Sequence, residues 1–338
     1  MNNIQKIIKP FVELNNFLLS DSLEDISHYA YLKNNWFIPE NTKVSLRSIA
    51  TQFLEPTKLT DWLEKYNLDE RTISPQKVGV VMAGNIPAVG FHDALCVLGS
   101  GHTLLAKLSS DDTVLMQFLL QKLAEFEPDL RPRIELVERI NAADAYIATG
   151  SDNTARYFEY YFSKKPHIIR RNRTAIGIIN GNETTDDLAA LGKDILQYFG
   201  LGCRNVSKLY IPENYDFKSF YETIEPWGDI CVHHHKYFNN YEYKKSIYLV
   251  NGEPHLDNGF LILHESENLV SPISVVYYQT YQNISNLEAD LTSLSDKIQC
   301  IVSANGWFKN SIPFGTTQIP SLTDYADGID TMQFLVNL

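Results

Sequence analysis

The chain has 338 residues, a length that suits two domains of ordinary size better than one. Hydrophobic residues at 44% and charged residues at 21% allow a large packed core and exclude wholesale disorder. With 29 basic against 41 acidic residues the net charge is −12, and no long basic stripe offsets it, which argues against nucleic-acid binding.

In chain order, residues 1–9 lack the continuous apolar stretch of a secretory signal, and the longest apolar runs, such as Val78-Gly-Val-Val-Met-Ala83, fall far short of a bilayer span. A soluble, cytoplasmic protein with no integral membrane segment is expected. The first 75 or so residues read as helical and loop-rich, with apolar spacing over 45–54 and a second helix over 58–66 that Thr60 or Asp61 would start. A strand at 78–83 leads through Gly84-Asn85-Ile86-Pro87 into a helix at 88–98; Gly99-Ser-Gly101 stops it, a strand runs over 103–108 and a helix over 113–126. A further strand (145–149), turn (Gly150-Ser151) and helix (152–162) follow. Next come a strand over 174–179 and a helix over 188–199 opened by Thr184-Thr-Asp-Asp187. Later strands are predicted at 208–212, 245–250, 273–278 and 300–303, with a helix at 286–295. Alternating strands and helices are the grammar of parallel sheets, so the class is α/β.

Charge and sulfur are unevenly used. Residues 251–338 hold ten acids and two bases, whereas Lys164–Arg173 holds five bases and no acid, a local landing site for phosphate-bearing ligands or else a solvated surface segment. The four cysteines are Cys96, Cys203, Cys231 and Cys300; none forms a Cys-x-x-Cys pair, and they are too sparse for a disulfide scaffold. Adjacent side chains such as His233-His234-His235 project in different directions, so no metal is assigned. Cys203 stands apart. Glycines at 200 and 202 thin the backbone before it, Arg204 follows it, and a helical turn starting there would lower the thiol's pKa.

The order of motifs resembles the aldehyde dehydrogenase superfamily over residues 78–330. The matching segments are Gly84-Asn85-Ile86-Pro87, Gly101-His-Thr-Leu-Leu-Ala-Lys107, Ala148-Thr149-Gly150-Ser151, Gly202-Cys203 and Ile312-Pro313-Phe314-Gly315. Within it, Val80-Val-Met-Ala-Gly-Asn-Ile-Pro-Ala88 is most similar to the fatty acyl-CoA reductases of the bacterial bioluminescence type.

The resemblance implies an aldehyde dehydrogenase-like fold of two open-sheet α/β domains. Residues 1–173 would form a Rossmann-like NAD(P)-binding domain with a helical N-terminal region, and 174–318 a catalytic domain. The tail, 319–338, would return to the cofactor domain or an interface. It also implies NADPH-dependent reduction of an acyl-CoA thioester to the aldehyde. Cys203 would be the nucleophile that becomes acylated, and the Asn85 amide and the Cys203 N–H would be donors to the carbonyl oxygen. Ala83, Gly84, Lys107, Ser110, Gly150, Ser151 and Glu267 would contact the cofactor. Neutral Ser110, standing where NAD-preferring relatives carry Glu, favours NADP(H) over NAD(H). Ile169-Arg-Arg-Asn-Arg-Thr174 replaces the superfamily's Glu-Leu-Gly-Gly-Lys stretch and supplies no carboxylate to activate water, which favours CoA chemistry over hydrolysis. Glu267 and Asn268 compete for the place of the glutamate that holds the nicotinamide ribose. Trp307, Phe308 and Phe314 are acyl-tunnel candidates or core residues, and the tyrosines of 237–243 are candidates for a homo-oligomer interface or for core or surface packing; a partner enzyme in an acyl-processing assembly is a further expectation. The alternatives are an NAD(P)-dependent dehydrogenase oxidising free aldehyde to acid, with Glu267 as base, and a non-catalytic acyl-binding scaffold.

Overall fold

The computed structural model describes residues 3–20, 22–68, 74–150 and 152–338. They form two compact units, one of residues 1–172 with 320–338 and one of residues 173–319.

The first unit opens with helices α1 (Asn3–Ser20), α2 (Glu24–Lys33), α3 (Pro39–Ser48) and α4 (Pro56–Glu64). The helix predicted over 45–54 instead ends at Ser48 and continues as a wider π-helical turn to Phe53. The next helix starts at Pro56 rather than at Thr60 or Asp61. Proline is pre-organised for a first helical position, and the Glu55 carboxylate accepts the Lys58 N–H at 2.8 Å. Strand β1 (Lys77–Val81) then leads to α5 (Phe91–Gly99), β2 (Thr103–Lys107), α6 (Thr113–Phe126), β3 (Ile134–Leu136), β4 (Ala145–Thr149), α7 (Asp152–Phe162) and β5 (His167–Arg170). α5 begins three residues later than the sequence suggests, because Pro87–Gly90 is a turn in which Ala88 takes φ 57°.

All strand pairs of this sheet are parallel, in the order β3-β2-β1-β4-β5. The chain builds outward from β1 in one direction, then returns to lay β4 on its other side. The switch point therefore lies between the C-terminal ends of β1 and β4, where open α/β sheets bind ligands. One sheet face packs on the N-terminal helices through residues such as Leu14, Trp62, Val80 and Leu104. On the other, Leu105, Tyr146 and Ala148 of the strands pack with Ile140, Ala143 and Phe162.

The second unit runs β6 (Thr174–Ile178), α8 (Thr185–Leu196), β7 (Val206–Pro212), α9 (Lys218–Ile224), α10 (Gly228–His233) and α11 (His235–Asn251). It continues through β8 (Leu256–Asp257), β9 (Ile262–Glu265), β10 (Val275–Tyr281), α12 (Ile284–Ser293), β11 (Ile298–Ser303) and β12 (Ile312–Pro313). The sheet order is β12-β11-β6-β7-β10-β9-β8, parallel except for β8 on β9. α8 is opened by a capping box: the Thr184 hydroxyl accepts the Asp187 N–H while the Asp187 carboxylate accepts the Thr184 N–H. The strand predicted at 245–250 is absent. Those residues complete α11, where buried Tyr237, Tyr241 and Tyr248 line one helical face and outweigh the local β preference of Ile247 and Val250.

The C-terminal stretch carries α13 (Thr331–Val336) and belongs to the first unit. The bidentate Arg170–Asp93 pair, at 2.7 and 2.9 Å, is buried there, and the same guanidinium donates to the Thr331 hydroxyl at 2.7 Å. His102 adds a second tie: its Nδ1 accepts the Gln76 N–H, so Nε2 carries the proton and donates to the Leu335 carbonyl at 2.9 Å. Among the described residues no helix is long and apolar enough to cross a membrane.

Candidate active site

In the first unit, Val81 pairs with Lys107 and with Ala148, so the loops after β1, β2 and β4 leave the sheet on the same edge. That edge holds Ala83, Gly84, Asn85, Lys107, Ser110 and Gly150, six of the residues singled out from the sequence. Ser151 lies outside the described residues. Gly84 is required by close approach: a β-carbon there would sit 2.5 Å from Ser109. Beyond it the backbone is pinned twice. The Ser45 hydroxyl donates to the Pro87 carbonyl at 2.6 Å, and the Asp112 carboxylate accepts the Ala88 N–H at 2.7 Å. Asp112 is buried, and desolvation pushes its pKa well above the usual carboxylate range. The result is a fixed loop that presents Asn85 to solvent.

Lys107 and Ser110 are exposed as well, and Lys107 makes no ion pair among the described residues. Beside Ser110 a surface cavity of about 560 Å³ opens between α2 and α6, with Tyr29, Lys33 and Gln117 on its walls. Lys107 and Ser110 lie at the C-terminal end of β2, next to β1 and one strand away from the switch point. The basic run 164–173 has other work. Arg170 is spent on Asp93, Arg171 pairs with Glu159 at 2.7 Å and Lys165 donates to the Ala143 carbonyl. Arg170, bonded to a buried carboxylate, is thereby withdrawn from such a landing site, whereas Arg171 stays exposed.

In the second unit, Cys203 is the exposed cysteine; Cys96 and Cys231 are buried and Cys300 is half-buried. Burial pushes the Cys231 thiol up to about 12 and Cys96 well above the ordinary thiol value, which leaves both inert. Cys203 does not open a helix. It sits in the turn 202–205 and the chain then enters β7, so the helix-terminus contribution to its acidity expected from sequence is absent. The turn is held by Asn205, itself buried. Its side-chain oxygen accepts the Gly202 N–H at 2.8 Å, and its amide donates to the carbonyls of Asp194 (3.0 Å), Ile195 (3.3 Å) and Gln197 (2.8 Å). One side chain thus closes the C-terminal end of α8 and fixes the cysteine turn together.

Just upstream, Tyr198 and Phe199 occupy the left-handed region at φ 53° and 58°, a conformation unfavourable for large side chains. Burial enforces it: the Phe199 ring lies 4.1 Å from the His234 ring and 5.7 Å from that of Tyr237.

The loop 266–274 is pinned to β7 by two neighbours that sequence reading passed over. The Ser207 hydroxyl donates to the Leu269 carbonyl at 2.6 Å, and the Lys208 amine donates to the Glu267 carbonyl at 2.9 Å and to Gln279 at 2.7 Å. Lys208 is buried, and desolvation brings its pKa down to about 8. The available signal was a lysine inside the apolar strand Val206–Ile211. Glu267 and Asn268 both expose their side chains, so what the structure fixes is the loop backbone. Phe308 packs in the core with Ile176, Tyr210 and Leu287, and Phe314 is buried. Trp307 is half-buried, with an indole N–H that meets no acceptor. Among the tyrosines read as interface candidates, Tyr237 and Tyr241 are core residues, whereas Tyr243 is exposed.

Three comparisons place this arrangement among known proteins. The sequence profile of the family described as acyl-CoA reductase (LuxC) matches residues 33–223, more than half of the chain, a span that includes Asn85, Lys107, Ser110, Gly150 and Cys203. No curated protein matches. Among solved structures, a NAD-dependent aldehyde dehydrogenase from Sinorhizobium meliloti is similar at TM-score 0.64 and 11% identity, over 90% of this chain and 70% of that one. A NAD-dependent benzaldehyde dehydrogenase from Corynebacterium glutamicum follows at TM-score 0.63 and 11% identity, over 89% and 76%. An E. coli NADP-dependent enzyme has TM-score 0.62 and 13% identity, over 89% and 73%. At such identities the likeness is one of fold, and the fold is that of the aldehyde dehydrogenases.

Proposed function

We propose that this chain, which belongs to the acyl-CoA reductase (LuxC) family, reduces a fatty or other apolar acyl-CoA thioester to the aldehyde with NADPH, through an acyl-enzyme on Cys203. The observation that carries the reading is an exposed thiol on a backbone turn immobilised by a buried asparagine, inside the segment that matches the family. A nucleophile must be both reachable and held, and the other cysteines are less exposed.

The Cys203 sulfur, as thiolate, attacks the thioester carbonyl carbon. The carbonyl electron pair moves onto oxygen, then returns as the bond to CoA sulfur breaks, leaving CoA thiolate and an acylated cysteine. The Cys203 N–H and the Asn85 side-chain amide are assigned as donors to the transient oxyanion; loss of one such donor lowers turnover by roughly 10²–10³. NADPH, when bound, supplies the hydride that takes the acyl group to the aldehyde. Residues 1–173 are assigned as the cofactor domain and 174–318 as the catalytic domain. Lys107 and Ser110 would hold the ribose and its 2′-phosphate, and Ala83, Gly84, Gly150, Ser151 and Glu267 the remainder. Ser110 brings no negative charge to repel that phosphate. The stretch 169–174 supplies no carboxylate to activate water, which favours release to aldehyde over hydrolysis to acid.

The test is intact mass after mixing with an acyl-CoA. The wild type is expected to gain one acyl group, lost in Cys203→Ala, and to yield aldehyde on adding NADPH. Free acid formed from aldehyde and NAD⁺ would establish the oxidising alternative, and absence of any adduct would establish a scaffold. Comparing kcat/KM for the two cofactors tests Ser110: NADPH should be preferred, and Ser110→Glu should reverse that preference.

A further inference from the structure

The Cys203 turn is the end of a longer chain of hydrogen bonds. Asp194, in the last turn of α8, is 1% exposed. Its carbonyl accepts the Asn205 amide at 3.0 Å, and Asn205 in turn holds the Gly202 N–H. Its carboxylate faces the opposite way, onto the loop after β12. There Oδ2 accepts the Gly315 N–H at 2.6 Å, while Oδ1 accepts the Thr317 N–H at 3.2 Å and the Thr317 hydroxyl at 2.8 Å. Gly315 lies directly on α8: at φ 82° it occupies the left-handed region, and a β-carbon there would meet that of Ala190 at 3.1 Å.

We infer that Asp194 is a positioning residue that locks the Cys203 turn and the loop 313–317 into one geometry, so that neither is placed without the other. The inference rests on Cys203 being the reacting thiol. Three donors converge on two carboxylate oxygens, and the ionised form satisfies all three at once. An asparagine sets its NH2 against one of the N–H donors, and a protonated carboxyl keeps all three contacts only by turning the Thr317 hydroxyl into an acceptor, which loses the charge-assisted set. The lock is therefore chemical as well as steric, and it titrates within a working range, since burial pushes Asp194 up to about 6 against the opposing bonds from Gly315 and Thr317. Lys193 is the neighbouring charge that acts on it. The loop 313–317 has no ionisable side chain, and the turn 202–205 carries Cys203 and Arg204. On α9, packed along α8, Lys218 and Glu222 face each other at 3.9 Å, both well exposed.

The experiment follows Cys203 alone, by peptide mass, in the full chain. Single-turnover acylation by a saturating acyl-CoA should slow about tenfold in Asp194→Asn. The half-saturating concentration should stay unchanged, because binding is left intact. Thr317→Val, which removes one of the three donors, should slow it less, and Thr317→Ser, which keeps the hydroxyl, should restore the wild-type rate. In the wild type, Cys203 alkylation by iodoacetamide should show a step near pH 6 in addition to the thiol's own titration, and Asp194→Asn should abolish that step. Folded variants with wild-type acylation rates and superimposable pH profiles overturn the inference. If Asp194→Asn does not fold, the Thr317→Val and Thr317→Ser pair decides. If the wild type forms no acyl adduct, the reductase reading falls, and the alkylation profile still decides whether the lock exists.

Discussion

The Asn85 loop and the Cys203 turn solve one problem in different ways. Each is a short irregular segment that presents a polar side chain to solvent, and each has its backbone held by a buried polar residue. For the turn that residue is local: Asn205 bonds Gly202 three positions back and the α8 carbonyls eight to eleven back. For the loop the anchors are distant in sequence, Ser45 and Asp112. Just past the loop, Asp93 in the first turn of α5 depends on Arg170, farther still along the chain. A locally anchored segment forms with its own neighbours, whereas a remotely anchored one is fixed only when the whole unit has assembled.

Variants that remove each anchor break this comparison or sharpen it. The largest effect is expected for Arg170→Met, which leaves Asp93 as a buried, uncompensated carboxylate and should lower stability by about 3–5 kcal/mol in denaturant unfolding. Near-wild-type stability would show that the remote pair contributes little. Asn205→Ala leaves the Gly202 N–H and three carbonyls without this partner. Unfolding should record a loss of about 3 kcal/mol, and single-turnover mass analysis a Cys203 acylation about 100-fold slower. Asp112→Ala removes the acceptor of the Ala88 N–H but also the desolvation cost of a buried carboxyl, so about 1–2 kcal/mol is expected. Its signature is faster amide exchange across 83–90 with exchange across 201–205 unchanged; loosening of both would mean the anchors are coupled.

The smallest effect is on pH dependence. Burial lowers the pKa of His102, which is bonded as the neutral ring to Gln76 and Leu335. As pH falls below the ordinary imidazole value of about 6.5, the unfolded chain takes up the proton first, so the stability that neutral His102 contributes above that value is lost on acidification. Asp194 has the opposite sign, since its raised pKa makes the folded state the better proton acceptor between the ordinary carboxylate value and about 6. His102→Gln should therefore flatten the acid limb of a melting-temperature profile relative to wild type. An unchanged limb removes His102 as a pH-sensitive tie of the C-terminal stretch.

The strand–loop–helix rhythm from Val78 to Leu196 was legible because each element signals itself: β-branched runs, glycine stops, and capping residues before α8. Cys203 was singled out from its glycines, and the structure shows it exposed; its reactivity is the proposal that the mass experiment tests. Beyond helix boundaries that lie a few residues from their expected places, two expectations failed for stated reasons. The segment 245–250 has the composition of a strand, but three tyrosines on one face of α11 recruit it into the helix. The helical start at Cys203 failed because Asn205 closes the turn and passes the chain straight into β7. Lys208 and Asp194 escaped notice because a charged residue inside an apolar pattern reads as an irregularity until its partners, Glu267 and Gln279 or Gly315 and Thr317, are seen.

The amino-acid order alone determined the α/β class and most element positions, since these follow from side-chain periodicity and backbone permissiveness over a few residues. Folding in three dimensions decided which basic residues are committed to buried carboxylates, which polar side chains brace the reactive segments, and which aromatics form core. Those outcomes depend on partners tens to hundreds of residues apart, and burial sets their strength by stripping water from groups that local patterns leave solvated.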